Sequence, residues 1–124
     1  MVPPPDSHIV ELPSEASAPG RAREALAGML TALPSARRVD ARLLVSELVT
    51  NAFRHGMPPI SLRLELHGSH LRVEVTDAGG GRPRRRPDPG PDGGWGLMLV
   101  ERAADRWGVA DGSMRIWFEI DRDH

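Results

Sequence analysis

The sequence predicts an α/β two-layer sandwich, a sheet apolar on one face only with about three helices packed on that side. Three observations carry this reading. Residues 60–66 and 71–75 alternate apolar and polar side chains strictly, as half-buried strands do. Residues 20–33 and 35–55 instead repeat apolar side chains every three or four positions, the period of an amphipathic helix. Between residues 79 and 96 lie seven of the 13 glycines and four of the 12 prolines, a density no regular element tolerates. A loop of that length inside a compact domain is uncommon, and it is the first place to look for chemistry.

Taken in order, His8 to Leu12 reads as a short strand. Ala22, Ala25, Leu26, Met29, Leu30 and Leu33 form the stripe of the first helix, which Pro34 ends. The second helix starts near Ser35 or Ala36 and runs to Arg54 or His55, with Val39, Leu43, Leu44, Leu48, Ala52 and Phe53 apolar. Gly56 followed by Pro58-Pro59 is its stop signal. Ile60, Leu62, Leu64 and Leu66 then alternate with Ser61, Arg63, Glu65 and His67, and Gly68-Ser69 supplies a hairpin connection to Leu71, Val73 and Val75. Beyond the loop, Leu97, Leu99, Val100, Ala103 and Ala104 predict a third helix over about residues 96–106, and Met114, Ile116, Phe118 and Ile120 a closing strand. There is no internal repeat.

Composition narrows the chemistry. All 16 basic residues are Arg, so a phosphate loop built on a Lys, a strand Lys of the eukaryotic kinase kind and Schiff-base catalysis are excluded. With no Cys there is no disulfide, thiolate nucleophile or Cys-type zinc site, which suits a reducing compartment. At 124 residues a single domain is expected, and the formal net charge of −1 lacks the basic excess of a dedicated nucleic-acid binder. No apolar run approaches the roughly 18 residues of a membrane helix, and Met1 to Asp6 has neither the basic start nor the apolar stretch of a signal peptide, so a cytoplasmic location is expected.

Several residues break the structural pattern. Glu47, Asn51 and His55 are four apart and form one polar stripe on the second helix, drifting about 40° per step. An Asn oxygen is a hard donor suited to Mg²⁺, and a Glu one turn earlier suits a general base; a solvated helix face gives the same spacing. Asp77-Ala78-Gly79-Gly80-Gly81 follows the strand ending at Val75. Its carboxylate can accept a hydrogen bond from an exocyclic amine and its glycines admit a ligand to the backbone, although Asp and Gly also simply end strands. Gly93-Gly94-Trp95-Gly96-Leu97 leads into the third helix, where free backbone N–H groups and the helix dipole favour an anion, or where the glycines only supply a flexible lead-in. Neither cluster fits the dinucleotide pattern GxGxxG. Arg82, Arg84, Arg85 and Arg86 form a basic run suited to phosphates, nucleic acid or an acidic partner, or to plain solvent. His67 and His70 flank the hairpin and read as turn residues without further metal ligands nearby. Trp95, Trp107 and Trp117 read as packing residues, with cover of a ligand as the alternative for Trp95 in the loop.

In order and spacing, Glu47-Leu48-Val49-Thr50-Asn51-Ala52, then Asp77-Ala78-Gly79-Gly80-Gly81, then Gly94-Trp95-Gly96-Leu97 resemble the three boxes of the GHKL ATPase and kinase superfamily. Leu43 to Ala52 together with Ala104-Asp105-Arg106-Trp107-Gly108 look like the small actinobacterial proteins related to anti-sigma factor serine/threonine kinases, from about residue 8 to residue 121. The resemblance implies a Bergerat-type ATP-binding fold with a mixed, mainly antiparallel sheet. It implies one domain over residues 8–121, a flexible tail over 1–7 and an ATP lid over 82–93. It further implies that Asn51 binds Mg²⁺, that Glu47 activates the acceptor serine, and that Asp77 binds the adenine amino group. Gly79 and Gly81 would shape the pocket, Gly94, Gly96 and Leu97 would cradle the nucleotide, and Arg82, Arg84 and Trp95 would be lid contacts. The implied cofactors are ATP and Mg²⁺, and the implied partners are a sigma factor and an anti-sigma factor antagonist. Relatives of this kind tend to dimerise, and the strand at His8 to Leu12 suits pairing across an edge. They often place a Thr near the adenine in the final strand, where the nearest position here is Arg115. That departure, with a short lid rich in Pro and Arg, motivates the alternative of a partner-binding module of the same fold with little or no catalysis.

Overall fold

The structure, a computed structural model, describes residues 6–78, 97–110 and 115–122. Its elements are β1 (Asp6–Leu12), α1 (Ala18–Leu30), α2 (Ser35–His55), β2 (Ile60–Leu66), β3 (His70–Thr76), α3 (Leu97–Ala103), β4 (Arg106–Ala110) and β5 (Arg115–Asp121). The five strands form one sheet in the order β1-β2-β3-β5-β4, and each described ladder is antiparallel. β1 and β4 are its edges.

Period-two alternation becomes cross-strand rows. Register aligns Val10, Leu62, Val75 and Ile116 in one row, and Leu64, Val73, Phe118 and Trp107 in the next. Between them run the polar rows: Arg63, Glu74, Trp117 and Gly108 in one, and Glu65, Arg72, Glu119 and Arg106 in the other. A slip of one residue would put the apolar rows in water, so the burial pattern fixes the register. Leu62, Leu64, Val73, Phe118 and Ile120 are fully buried and join Leu26, Leu44, Val45, Leu48 and Val49 of the helices in one core. Each such side chain contributes on the order of 1.5–3 kcal/mol of transfer free energy. The described structure is therefore the expected two-layer α/β sandwich.

Pro19 stands in the first turn of α1, where a missing N–H costs nothing. The regular part of α1 ends at Leu30, three residues before the expected boundary, and the chain then tightens: Ala32 N–H donates to Met29 O at 3.2 Å and Leu33 N–H to Leu30 O at 2.9 Å. On α2 the buried stripe is Ala41, Leu44, Val45, Leu48, Val49 and Ala52. Val39 and Leu43, expected on that stripe, are instead 57% and 42% exposed, because they lie on the helical row that continues into Glu47 and Asn51.

The C-terminal third departs from expectation in one element. α3 stops at Ala103 rather than near 106, and Arg106–Ala110 forms the edge strand β4. Asp105 makes the break. Its carboxylate accepts from Arg37 Nη2 and from the Asp121 backbone N–H, both at 2.7 Å, while its own N–H donates to Glu119 O at 2.9 Å and starts the ladder.

Candidate functional site

The site is built where the C-terminal ends of α2 and β3 meet. Asn51 lies at the rim of the buried stripe of α2 and is 9% exposed. Its Oδ1 is buried and, among the described residues, has no hydrogen-bond partner. An orphaned amide oxygen costs about 1–3 kcal/mol, and native structures keep few of them, mostly where a ligand, water or ion completes the set. Glu47, half-buried one helical turn earlier, falls on the same helical row. Asn51 therefore offers an unspent hard oxygen donor of the type Mg²⁺ takes, with an acidic oxygen pair nearby. Among the described residues no group of three or more His, Cys, Asp or Glu side chains is placed to hold a metal ion. A cation held here would need oxygens from its own ligand beside Asn51, which fits a nucleotide-borne Mg²⁺.

Asp77 follows β3 on the face turned toward the helices and is 6% exposed. Met57 N–H donates to its Oδ1 at 3.3 Å, and the next residue returns the contact, Ala78 N–H donating to Met57 O at 2.8 Å. Gly56, which ends α2, packs directly on this carboxylate. A buried, anchored carboxylate at a strand end is a fixed acceptor, the requirement for reading an amine on a planar base.

Other candidates fall elsewhere. Gly79, Gly81, Arg82, Arg84, Gly94, Trp95 and Gly96 lie outside the described residues, as does the 82–93 segment expected to be the lid; Leu97 is described only as the first residue of α3. His55 closes α2, with its side chain outside the described set. His67 and His70 stack on each other with centroids 4.7 Å apart at the β2–β3 hairpin, the opposite end of β3 from Asp77 and on the order of 20 Å away. Each already has a partner: His67 Nε2 lies 3.2 Å from Glu65 Oε1, and His70 Nδ1 lies 3.0 Å from Ser69 Oγ. Arg115, the departure expected near the adenine, belongs to the row of Ser61 and Thr76 on the face away from the helices, with Nε 4.0 Å from Glu74 Oε1.

Sequence reasoning overlooked Arg37 and the close packing of Gly56 on Asp77. Arg37 starts α2 and reaches three groups: Asp40 Oδ2 at 2.8 Å, Ala103 O at 3.1 Å and Asp105 Oδ2 at 2.7 Å. It thereby ties the end of α3 to the helix that carries Glu47 and Asn51. No local pattern reveals this, since Asp105 is 68 residues away.

Fold and site together define an ATPase domain of the GHKL type. The chain belongs to the histidine kinase-like ATPase domain family, whose match runs over residues 12–120 and so contains Glu47, Asn51, Asp77 and the glycine-rich segment. No curated protein matches the chain.

Proposed function

We propose that the chain is an ATP- and Mg²⁺-dependent serine kinase of the anti-sigma factor type, which binds a sigma factor and phosphorylates a serine on an anti-sigma factor antagonist. The observation that carries this reading is the buried Asn51 Oδ1 without a hydrogen-bond partner among the described residues, one helical turn from Glu47. Family membership supports the nucleotide, and the likeness of Leu43 to Ala52 and of Ala104-Asp105-Arg106-Trp107-Gly108 supports the narrower kinship.

In this reading Asn51 Oδ1 is the protein's ligand to Mg²⁺, and Asp77 accepts the adenine amino hydrogen. Bound Mg²⁺ supplies charge neutralisation at the phosphates. Glu47 accepts the proton of the acceptor serine as its Oγ bonds to the γ-phosphorus and the bond to the β-phosphate oxygen breaks, leaving ADP and phosphoserine. The nucleotide contacts of Gly79, Gly81, Gly94, Gly96 and Leu97, and the lid contacts of Arg82, Arg84 and Trp95, are assigned in this reading from the family resemblance alone. No step needs the Lys or Cys that the chain lacks.

Incubation with labelled ATP, Mg²⁺ and a cognate antagonist protein tests the catalytic half. Phosphoserine is expected with the parent and a drop of about 10²–10⁴-fold with Glu47→Ala. Phosphoserine formed equally by Glu47→Ala would contradict the role of Glu47. Partner binding without any phosphoserine would instead support the non-catalytic module.

A further inference from the structure

Gly56 reads in the sequence as a helix stop, but its backbone does not require glycine. Its φ of −94° and ψ of −171° are extended values open to any L-residue. Space is what demands the missing side chain. A Cβ at Gly56 would stand 2.6 Å from both Cγ and Oδ2 of Asp77 and 2.7 Å from Ala52 O. The Ala52 side of this contact resists movement, because Ala52 O already accepts Gly56 N–H at 2.8 Å and Ala52 is packed in the core. Of these neighbours the Asp77 side chain is the one that can shift, and its shift disturbs the Met57 N–H donated to its Oδ1.

We propose that Gly56 and the Met57 backbone form a seat that orients the Asp77 carboxylate, which makes Gly56 a positioning residue for nucleobase specificity. The inference rests on the reading of Asp77 as the acceptor for an exocyclic amine. The seat has two sides: Met57 N–H holds Oδ1, and the bare Cα of Gly56 lets Oδ2 lie against the end of α2. The reciprocal Ala78 N–H to Met57 O bond at 2.8 Å fixes the height of the strand end relative to the helix. A carboxylate held this way favours a base bearing an amine and repels one bearing a carbonyl at the same place, because an ionised carboxylate only accepts.

Titration calorimetry with ATP and with inosine triphosphate, which has a carbonyl in place of the amine, tests the proposal. The parent is expected to prefer ATP by about tenfold or more, and Asp77→Asn to lose that preference. Gly56→Val is expected to weaken ATP by about tenfold while moving inosine triphosphate by less than about twofold, so the ratio collapses although residue 56 touches no nucleotide. A Gly56→Val protein that keeps the parental ratio overturns the proposal. A parent without preference, or an Asp77→Asn variant that retains it, overturns the underlying reading of Asp77 instead. Should Gly56→Val lose its cooperative thermal transition, the pair Gly56→Val/Asp77→Ala decides. Relief of the contact should restore a cooperative thermal transition to the pair, and a pair that still lacks one overturns the proposal.

Discussion

Asn51 concentrates the argument at the scale of single residues. A residue kept for packing loses stability when altered, whereas one kept for a ligand carries a cost in the free protein. Because Asn51 Oδ1 is buried without a hydrogen-bond partner among the described residues, Asn51→Leu is expected to leave the stability of the ligand-free protein within about 1 kcal/mol of the parent. Leu48→Ala, in the core three residues earlier, is expected to cost about 2–5 kcal/mol. Urea midpoints without nucleotide compare the two; a loss at Asn51 as large as that at Leu48 would make Asn51 a packing residue. Gly108 shows the same close-approach logic on the other face of the sheet. A Cβ there would stand 2.7 Å from Trp117 Nε1, and the Trp117 ring carries the guanidinium of Arg72, from the neighbouring row of the same face, 4.3 Å from its centroid. Gly108→Ala is expected to cost about 1–3 kcal/mol through overpacking, read as a lower urea midpoint with an unchanged slope.

Elements differ in how plainly the sequence announces them, and the reason is the length over which a period repeats. β2 and β3 each repeat apolar positions at every second residue over seven residues, and α2 holds its stripe for 21, so all three are legible. β4 spans five residues and carries Gly108 and Ala110 on one face, too short and too small for alternation to appear, and only its first residue, Arg106, overlaps the expected third helix. What ends that helix is non-local. Asp105 turns the chain because Arg37 and the Asp121 N–H, both distant in sequence, satisfy its carboxylate. For the site, residue type and order single out Glu47, Asn51 and Asp77 as candidates. The packing of Gly56 and Met57 on Asp77 and the reach of Arg37 to Asp105 do not show in the sequence, since they depend on which elements meet. Asp105→Asn keeps the shape but removes the charge-assisted bonds, with an expected cost of about 1.5–3 kcal/mol in urea unfolding. A change below about 0.5 kcal/mol would show that Arg37 does not tie α3 to α2.

At the scale of the whole molecule, the two faces of the sheet do different work. One is buried under the helices, while the other carries a lattice of ion pairs centred on Glu119, which accepts from Arg106 Nε at 2.6 Å and Arg72 Nη1 at 3.0 Å. Partial burial pushes the Glu119 carboxyl up, but the bonds from Arg106 and Arg72, with the field of His70, outweigh it and hold it below the usual carboxylate value. A depressed native pKa means that the unfolded chain binds the proton first. This stabilisation is therefore complete above the unfolded value of about 4.3 and is lost as pH falls through the native one. Urea midpoints between about pH 3 and pH 6 should fall more steeply for the parent than for Glu119→Gln, and equal slopes would remove Glu119 from the acid limb. The ion-pair face supports the fold without entering the chemistry, which the account assigns to the ends of α2 and β3. Titration calorimetry of ATP with and without Mg²⁺, on the parent and on Asn51→Ala, tests that assignment most directly. The expected result is tighter binding by the parent when Mg²⁺ is present and loss of that increment in Asn51→Ala; an increment of equal size in both proteins would contradict it.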